Sequence, residues 1–396
     1  MSRTFCILIA LLTISCTSPN QNPEKAVFET RIAFEAANHM WARTAADING
    51  NGIKDIVVTN NNAHGGWLGW METSADLSRW ALHIIADSLT MGGTFAGGDI
   101  ATGDFNRNGK TDVIGIMHPG EWKAGGAPSR IYWFENPGWT PHFIGTAPAF
   151  VKDVEVADLN RNGKLEVVVI TFEYNSLQVF ARNEDDTWYE AVNMVIPNLH
   201  EGMATGDIDG DGYPDIATNG YWLRSPGSNI DGGWTLFNID PKWNTQTGDW
   251  QRNATKVFCA DITNNGRAEV FISHSESMDY PVSYYTLLDA EKNQWEEFII
   301  DTIHGCHTLQ VVDFNNNGFL DILAGENKMR WNHDFAPVNI YLNSGDGRTF
   351  VKQTITGEGC YNCLAADLEN NGYYDIIRTA GHGSEVMEVL INRTNR

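Results

Sequence analysis

Short apolar runs rich in valine and isoleucine recur along the chain, each placed directly after a polar stretch of aspartate, asparagine and glycine. Ile56-Val57-Val58, Val113-Ile114, Val167-Val168-Val169 and Ile322-Leu323 are four of them. β-Branched residues in runs this short predict strands. The polar stretches share one form, Asp-x-Asn/Asp-x-Asn/Asp-Gly-x-x-Asp/Glu, with Thr263 and Glu369 as variants at its third place. The seven copies occupy 47–55, 104–112, 158–166, 207–215, 261–269, 313–321 and 367–375, and their first aspartates stand 57, 54, 49, 54, 52 and 54 residues apart. A period in this range with strand-like flanks predicts radial repetition of small sheets, one blade per copy.

The rest of each period supplies the outer strands. In RIYWFENPGWTPHFI, Tyr132, Phe134, Trp139 and Phe143 are bulky and Asn-Pro-Gly turns the chain; NIYLNSGDGRTFVKQTI reads the same way. The last copy is followed only by EVLINR, one strand short, and VFETRIAFE from Val27 reads as that missing strand. The expectation is an all-β, seven-bladed propeller of four-stranded blades over 27–396, its last blade closed by the N-terminal strand. Such closure removes the exposed sheet edge.

The repeat also predicts an ion. Calcium takes about six to eight hard oxygen ligands, and glycine at the sixth place permits the sharp turn. The expected ligands are Asp47, Asn49, Asn51 and Asp55; Asp104, Asn106, Asn108 and Asp112; Asp158, Asn160, Asn162 and Glu166; and Asp207, Asp209, Asp211 and Asp215. Continuing along the chain, they are Asp261, Asn265 and Glu269; Asp313, Asn315, Asn317 and Asp321; and Asp367, Glu369, Asn371 and Asp375. A strand follows the ninth residue where an EF-hand would continue to a twelfth-place glutamate and a helix. Four carboxylates make the fourth loop the strongest expected site, and Thr263 makes the fifth the weakest. The pattern resembles the FG-GAP/VCBS repeat family of β-propellers over nearly all of the chain after residue 26. That resemblance implies fold and calcium but not activity, because such propellers serve as adhesins, lectins and enzymes.

Arg3 and the apolar stretch from Phe5 to Ile14 read as a signal peptide over 1–15, too short to span a bilayer. Ser15-Cys16 resembles a bacterial lipobox, which implies lipidation of Cys16, a tether over 16–26 and a lipid-anchored place in the bacterial cell envelope. The formal charge is −23 and becomes −24 once Arg3 is lost. Seven calcium ions would return fourteen of those charges. No lysine/arginine cluster exists, so a nucleic-acid partner is not expected, and the chain reads as a monomer. Of the remaining cysteines, Cys259 lies among strand residues. Cys306 and Cys360 occupy matching places seven residues before their aspartates, so a Cys306–Cys360 disulfide is one reading. A zinc site with His304 and His307 is the other, and the state of Cys363 stays open.

The two innermost strands of each blade should meet around a channel mouth on the face opposite the loops. The polar residues 13 to 17 places after each first aspartate are His64, His118, Glu173, Tyr174, Tyr221, His274, Glu276, Glu326, Asn327 and His382; His39, His200 and His304 lie seven to nine places before it. His83 and His142 fall on outer strands. A rim of imidazoles, carboxylates and phenols suits acid–base work, or a second metal, Zn2+, bound by imidazoles from different blades. The expected acid–base or metal residues are His118, His200, His274 and His382, with Tyr174 or Tyr221 assisting. Arg130 and Lys152 would offset negative charge, and His64, Trp67, Trp122, Trp222, Glu276, Glu326 and Trp331 would contact a carbohydrate. Trp41 and Trp70 offer further flat faces.

Neither a Ser-His-Asp order, a phosphate-binding loop nor His-Glu-x-x-His appears, and no close acid pair suited to glycoside hydrolysis stands out. This favours elimination, which needs a base, an acid and charge stabilisation. YWFENPGWTPHFIG and NGYWLRSPG are similar to the propeller part of aldos-2-ulose (anhydrofructose) dehydratases, which adds a sugar dehydratase to the polysaccharide lyases as an implied activity. The cupin domains of those enzymes have no counterpart here. The other reading is a surface lipoprotein that binds glycans or a protein partner without catalysis.

Overall fold

A computed structural model describes residues 23–37, 39–60, 66–119, 127–331 and 333–395, with the side chains of Leu89, Thr90 and Trp331 excepted. The expectations for residues 1–15 and for Cys16 lie outside the described residues.

Seven antiparallel sheets follow one another along the chain, and the residues after each polar loop form the second strand of its sheet. Blade one comprises Arg43–Ala46, Asp55–Thr59, Trp67–Thr73 and Trp80–Asp87 in that order. Blades three to six repeat it, beginning at Asp153–Ala157, Met203–Gly206, Thr255–Ala260 and Cys306–Val312. The first strands of neighbouring blades pack on one another around a central axis. In blade two the first strand is split into Thr94–Phe95 and Thr102–Gly103, with Gly97 and Gly98 between. A side chain at Gly98 could not be housed, since its Cβ would meet the Lys152 carbonyl oxygen at 2.2 Å. Blade seven holds Leu364–Ala366, Asp375–Arg378 and Met387–Asn392, and Phe28–Phe34 completes it. Phe28 lies opposite Asn392, as the missing-strand reading requires.

The alternation of side chains along each second strand explains why the blades stack as they do. In blade three, Val167 and Val169 pack toward blade two, while Val168 and Ile170 pack toward blade four. Seven such cores fill the seven gaps between blades, including the one where Met387 and Val389 of blade seven meet Ile56 and Val58 of blade one. A strand buried on both faces reads as a continuous apolar run, which is why the second strands were the clearest elements in the sequence.

The polar loops are built alike. The sixth-place glycines, from Gly52 (φ 87°) to Gly372 (φ 87°), all have left-handed backbone, which glycine adopts without strain. In loop one, Asp47 Oδ1 and Oδ2 accept from the N–H groups of Asn51 (3.0 Å) and Gly52 (2.8 Å), and Asn51 Oδ1 accepts from Ile53 N–H (2.8 Å). The ninth-place carboxylate faces inward. Asp321 Oδ2 accepts from Phe314 N–H (2.9 Å) and its Oδ1 from Asn343 N–H at the end of the third strand (2.8 Å). Asp55, Asp112, Asp215 and Asp375 make the same double tie. In the fourth loop, donor oxygens of Asp207, Asp209 and Asp215 lie within 4.8 Å of one another, and Arg224 Nε reaches Asp209 at 2.6 Å.

The cysteines differ from expectation. Cys360 is bridged to Cys363, and Cys306 is free and buried, its Sγ turned to the Thr308 carbonyl of its own strand. Cys360 and Cys363 flank one turn with Cα atoms 5.6 Å apart, well within disulfide reach. The Cys306–Cys360 pairing is therefore corrected, and the bridge removes two thiols from the alternative zinc set.

Candidate functional site

The segment that opens each blade, at or just before its first strand, delivers one residue to the axis, in six of the blades six places before the aspartate of the repeat. These are Trp41, Gly98, Lys152, Glu201, His307 and Tyr361, ahead of Asp47, Asp104, Asp158, Asp207, Asp313 and Asp367. Lys256 of blade five stands five places before Asp261. All seven line one cavity of about 240 Å3 on the face away from the loops, and Gly98 leaves a gap in the ring. Glu276, Asn327, Arg330 and His382, which follow second strands, complete the wall with Phe150, Trp250, Met329 and Asn362.

The ring carries a dense charge pattern. Glu201 Oε2 lies 3.0 Å from Lys152 Nζ, and Glu276 Oε2 lies 2.9 Å from Arg330 Nε, although no N–H is aligned on that oxygen. His307 Nε2 stands 3.3 Å from Glu276 Oε1 and 4.0 Å from Glu201 Oε1. Burial alone would raise Glu201, but Lys152, Lys256 and the nearby imidazoles hold it well below the usual carboxylate range. Burial also opposes ionisation of Lys152, and Glu201 more than offsets it. Tyr361 packs against His307 with ring centroids 4.1 Å apart, and burial plus Glu276 and Glu201 push its phenol well above the usual value. The phenol therefore keeps its proton at neutral pH. Burial lowers His382, which favours a neutral imidazole.

Below this layer the channel continues between Asp99, Asp153 and Glu155, with Arg43 and Lys256. Burial, and then repulsion from Asp153, push Asp99 up to about 7; burial, then Asp99 and Asp153, push Glu155 up to about 8. Unfolded, both ionise near pH ~4. The folded chain therefore binds more protons between these values, so the stabilisation is complete below about pH 4 and lost as pH rises through about 7 to 8. Glu155→Gln is expected to shrink the drop in melting temperature between pH 6 and pH 9 at saturating calcium. An unchanged drop would show that Glu155 is ionised throughout.

Of the residues expected at the rim, the structure brings Lys152, Glu276 and His382 into the cavity and places His200 just behind it. His200 is buried, stacks on Phe172, and donates from Nε2 to the Trp250 carbonyl (2.8 Å). Burial lowers it to about 4, so it is neutral. His274 lies outside the cavity lining with both ring nitrogens engaged: its Nδ1 accepts from Glu276 and Ser277 N–H, and its Nε2 faces Gln246 Oε1 at 2.8 Å. His118 is buried on the Ala127 carbonyl (3.0 Å), beneath Phe150. Tyr174 is exposed at a turn of blade three, and Tyr221 packs in the core between blades three and four. Trp222 is fully buried in the next core, its indole N–H on Asn293, and Trp67 packs between blades seven and one. Arg130 is exposed on the third strand of blade two, outside the cavity. Glu326 is buried against His333. His64, Trp122 and the Trp331 side chain lie outside the described residues. Glu201, Lys256, Arg330 and Tyr361 were not among the expected site residues, and His307 was expected only in the alternative zinc set with His304. Register before the aspartates could have revealed all of these but Arg330, which lies in the turn after a second strand.

Seven radial blades around an axial, charge-lined cavity define a β-propeller with a ligand-sized opening on one face. Its repeats are FG-GAP-like: a family profile described as an FG-GAP-like repeat matches residues 104–169 and 158–218. Cartilage acidic protein 1 of Mus musculus is 30% identical over 147 residues, 33% of this chain. That stretch is 22% of the relative's length, so the chain spans about a fifth of that protein. BBS1N, solved in complex with ARL6DN and soaked with lead, superposes over 94% of this chain and 99% of its own with a TM-score of 0.59 at 11% identity. The exotype rhamnogalacturonan lyase YesX covers 94% of this chain and 75% of its own, with a TM-score of 0.51 at 12% identity. At such identities these structures share the fold alone.

Proposed function

We propose that the axial cavity binds a single sugar unit bearing a carboxylate or keto group and eliminates across a carbon–oxygen bond, on a scaffold held by calcium in the seven loops. The observation that carries this reading is the meeting of Lys152, Arg330, Tyr361 and His382 in one cavity flanked by Trp41 and Trp250. Elimination needs a neutral base, a proton donor and positive charge near the enolate oxygen. His382 takes the proton α to the carbonyl, the electron pair forms the double bond, and the oxygen leaves with a proton from Tyr361. Lys152 and Arg330 face the negative charge that develops. A cavity of about 240 Å3 sits below the roughly 300–1,000 Å3 of ordinary ligand clefts, which favours one ring over a long chain segment. The fold shared with a rhamnogalacturonan lyase is compatible with this chemistry. The Cys360–Cys363 bridge supports an oxidising compartment, in keeping with an envelope protein tethered through Cys16.

An ultraviolet scan of the calcium-loaded protein with uronate polysaccharides and keto-sugars tests the reading. A rising band from a conjugated double bond is expected, lost in His382→Ala. A flat trace over the whole panel would replace elimination with plain glycan binding.

A further inference from the structure

We propose that Glu201, Glu276 and His307 hold one divalent transition-metal ion on the propeller axis, separate from the seven loops. One donor atom of each residue lies within 4.8 Å of the others, and all three residues are buried. Bonds of about 2.0–2.2 Å to a shared ion put tetrahedral donors about 3.4 Å apart; Glu276 Oε1 already stands 3.3 Å from His307 Nε2, and Glu201 Oε1, 4.0 Å away, has to move inward.

The imidazole orientation carries the argument. Asn362 Nδ2 donates to the Trp41 carbonyl (3.2 Å), which turns its Oδ1 toward His307 Nδ1 at 2.9 Å. His307 Nδ1 therefore carries an N–H, and Nε2 points between two carboxylate oxygens, 3.3 and 4.0 Å away. A ring nitrogen facing two carboxylates needs a positive centre between them, either a proton of its own or a metal ion, and we assign the metal. A metal-bound histidine typically donates its other nitrogen to an acceptor, as His307 does to Asn362.

A second imidazole borders the same cluster. His200 is buried and donates through Nε2, so its Nδ1 lone pair is bare, without a hydrogen-bond partner and 3.9 Å from Glu201 Oε2. That nitrogen faces the Glu201 oxygen held by Lys152, so His200 borders the cluster and is not one of the three ligands. Lys152 and Arg330 contact the outer oxygens Oε2 of Glu201 and Glu276, so the ion would take the Oε1 atoms, that of Glu201 while it also accepts from Ser275 Oγ. A mixed imidazole and carboxylate set favours zinc or manganese over calcium, which takes oxygen donors.

The readout needs no substrate, so it stands or falls apart from the elimination reading. The untagged chain, stripped of transition metals and kept in millimolar calcium to fill the loops, is titrated with zinc chloride by calorimetry, and with manganese chloride alongside. One zinc per chain is expected, with affinity reduced at least ~100-fold in Glu276→Gln and His307→Gln, and ~10–100-fold in Asn362→Ala through loss of ligand orientation. Thermal melts of the calcium form report whether each variant folds. Cobalt(II) on the parent chain gives a measurement that needs no variant: intense visible bands of a low-coordinate site are expected. No zinc or manganese uptake, uptake unaltered in folded variants, or a hexa-aqua cobalt spectrum would each overturn the site.

Discussion

Chelating calcium is expected to lower the melting temperature of the folded chain by on the order of 10 °C, with recovery when calcium is restored. An ion bound only by the folded state, at a hundred times its Kd, adds about 2.7 kcal/mol per site. Four such sites would add about 11 kcal/mol, comparable with the roughly 5–15 kcal/mol that holds a typical domain. At ~1–2 °C per kcal/mol, scaled down from the roughly 2–4 °C of smaller domains, the shift is large. Main-chain N–H groups orient the first-place carboxylate and the fifth-place side chain in loops one to three, an arrangement that would suit the proposed ion. The loops are not equal. In the fourth, Asp207, Asp209 and Asp215 crowd three carboxylates together, so Asp209→Asn should cost more calcium affinity than any change in the fifth. There Glu269 Oε1 is already held by Thr263 (2.8 Å) and Asn265 (3.0 Å). Differential scanning calorimetry with and without EGTA decides the matter. A melt indifferent to chelator would mean that the loops are turns and nothing more.

How much of this was legible in the sequence depends on how strongly residue type and register agree. At the loops they agree completely, because glycine, aspartate and asparagine are each demanded by backbone geometry or by an oxygen donor. Seven blades and the closing strand Phe28–Phe34 followed from counting. At the cavity, type and register part company. The axial position is filled by Trp41, Gly98, Lys152, Glu201, Lys256, His307 and Tyr361, which share no chemistry, so nothing but their place in the repeat marks them. The histidines that stood out were partly misleading. His118 and His274 lie at strand ends, where main-chain groups or a neighbouring amide take up their nitrogens. Trp222 was misread for a related reason: an aromatic near the expected rim looks like a stacking face, but the narrow gap between blades four and five encloses it. The innermost strand alone faces the axis, so residues beyond the second strand reach the cavity only where the following turn folds back, as with Arg330 and His382.

The ninth-place carboxylate should prove as important to the fold as to any ion. Asp321 is fully buried and ties three segments together: the start of its loop through Phe314 N–H, the second strand that carries it, and the third strand through Asn343 N–H. Asp321→Ala leaves two buried main-chain donors without an acceptor, at about 1–3 kcal/mol each. A loss of roughly 2–6 kcal/mol is expected in denaturant unfolding. Glu166 provides the control. Its Oε2 accepts from Leu159 N–H (2.8 Å), while Oε1 has no hydrogen-bond partner. Glu166→Ala should therefore cost about half as much. The comparison must be run in EGTA as well as in calcium, because the two roles of the residue then separate. A ligand's contribution vanishes when the ion is removed, whereas a main-chain tie survives. If the Asp321→Ala penalty disappears in EGTA, the carboxylate acts through calcium alone. If it persists near its full size, the repeat's last acid holds the blade together even without the ion.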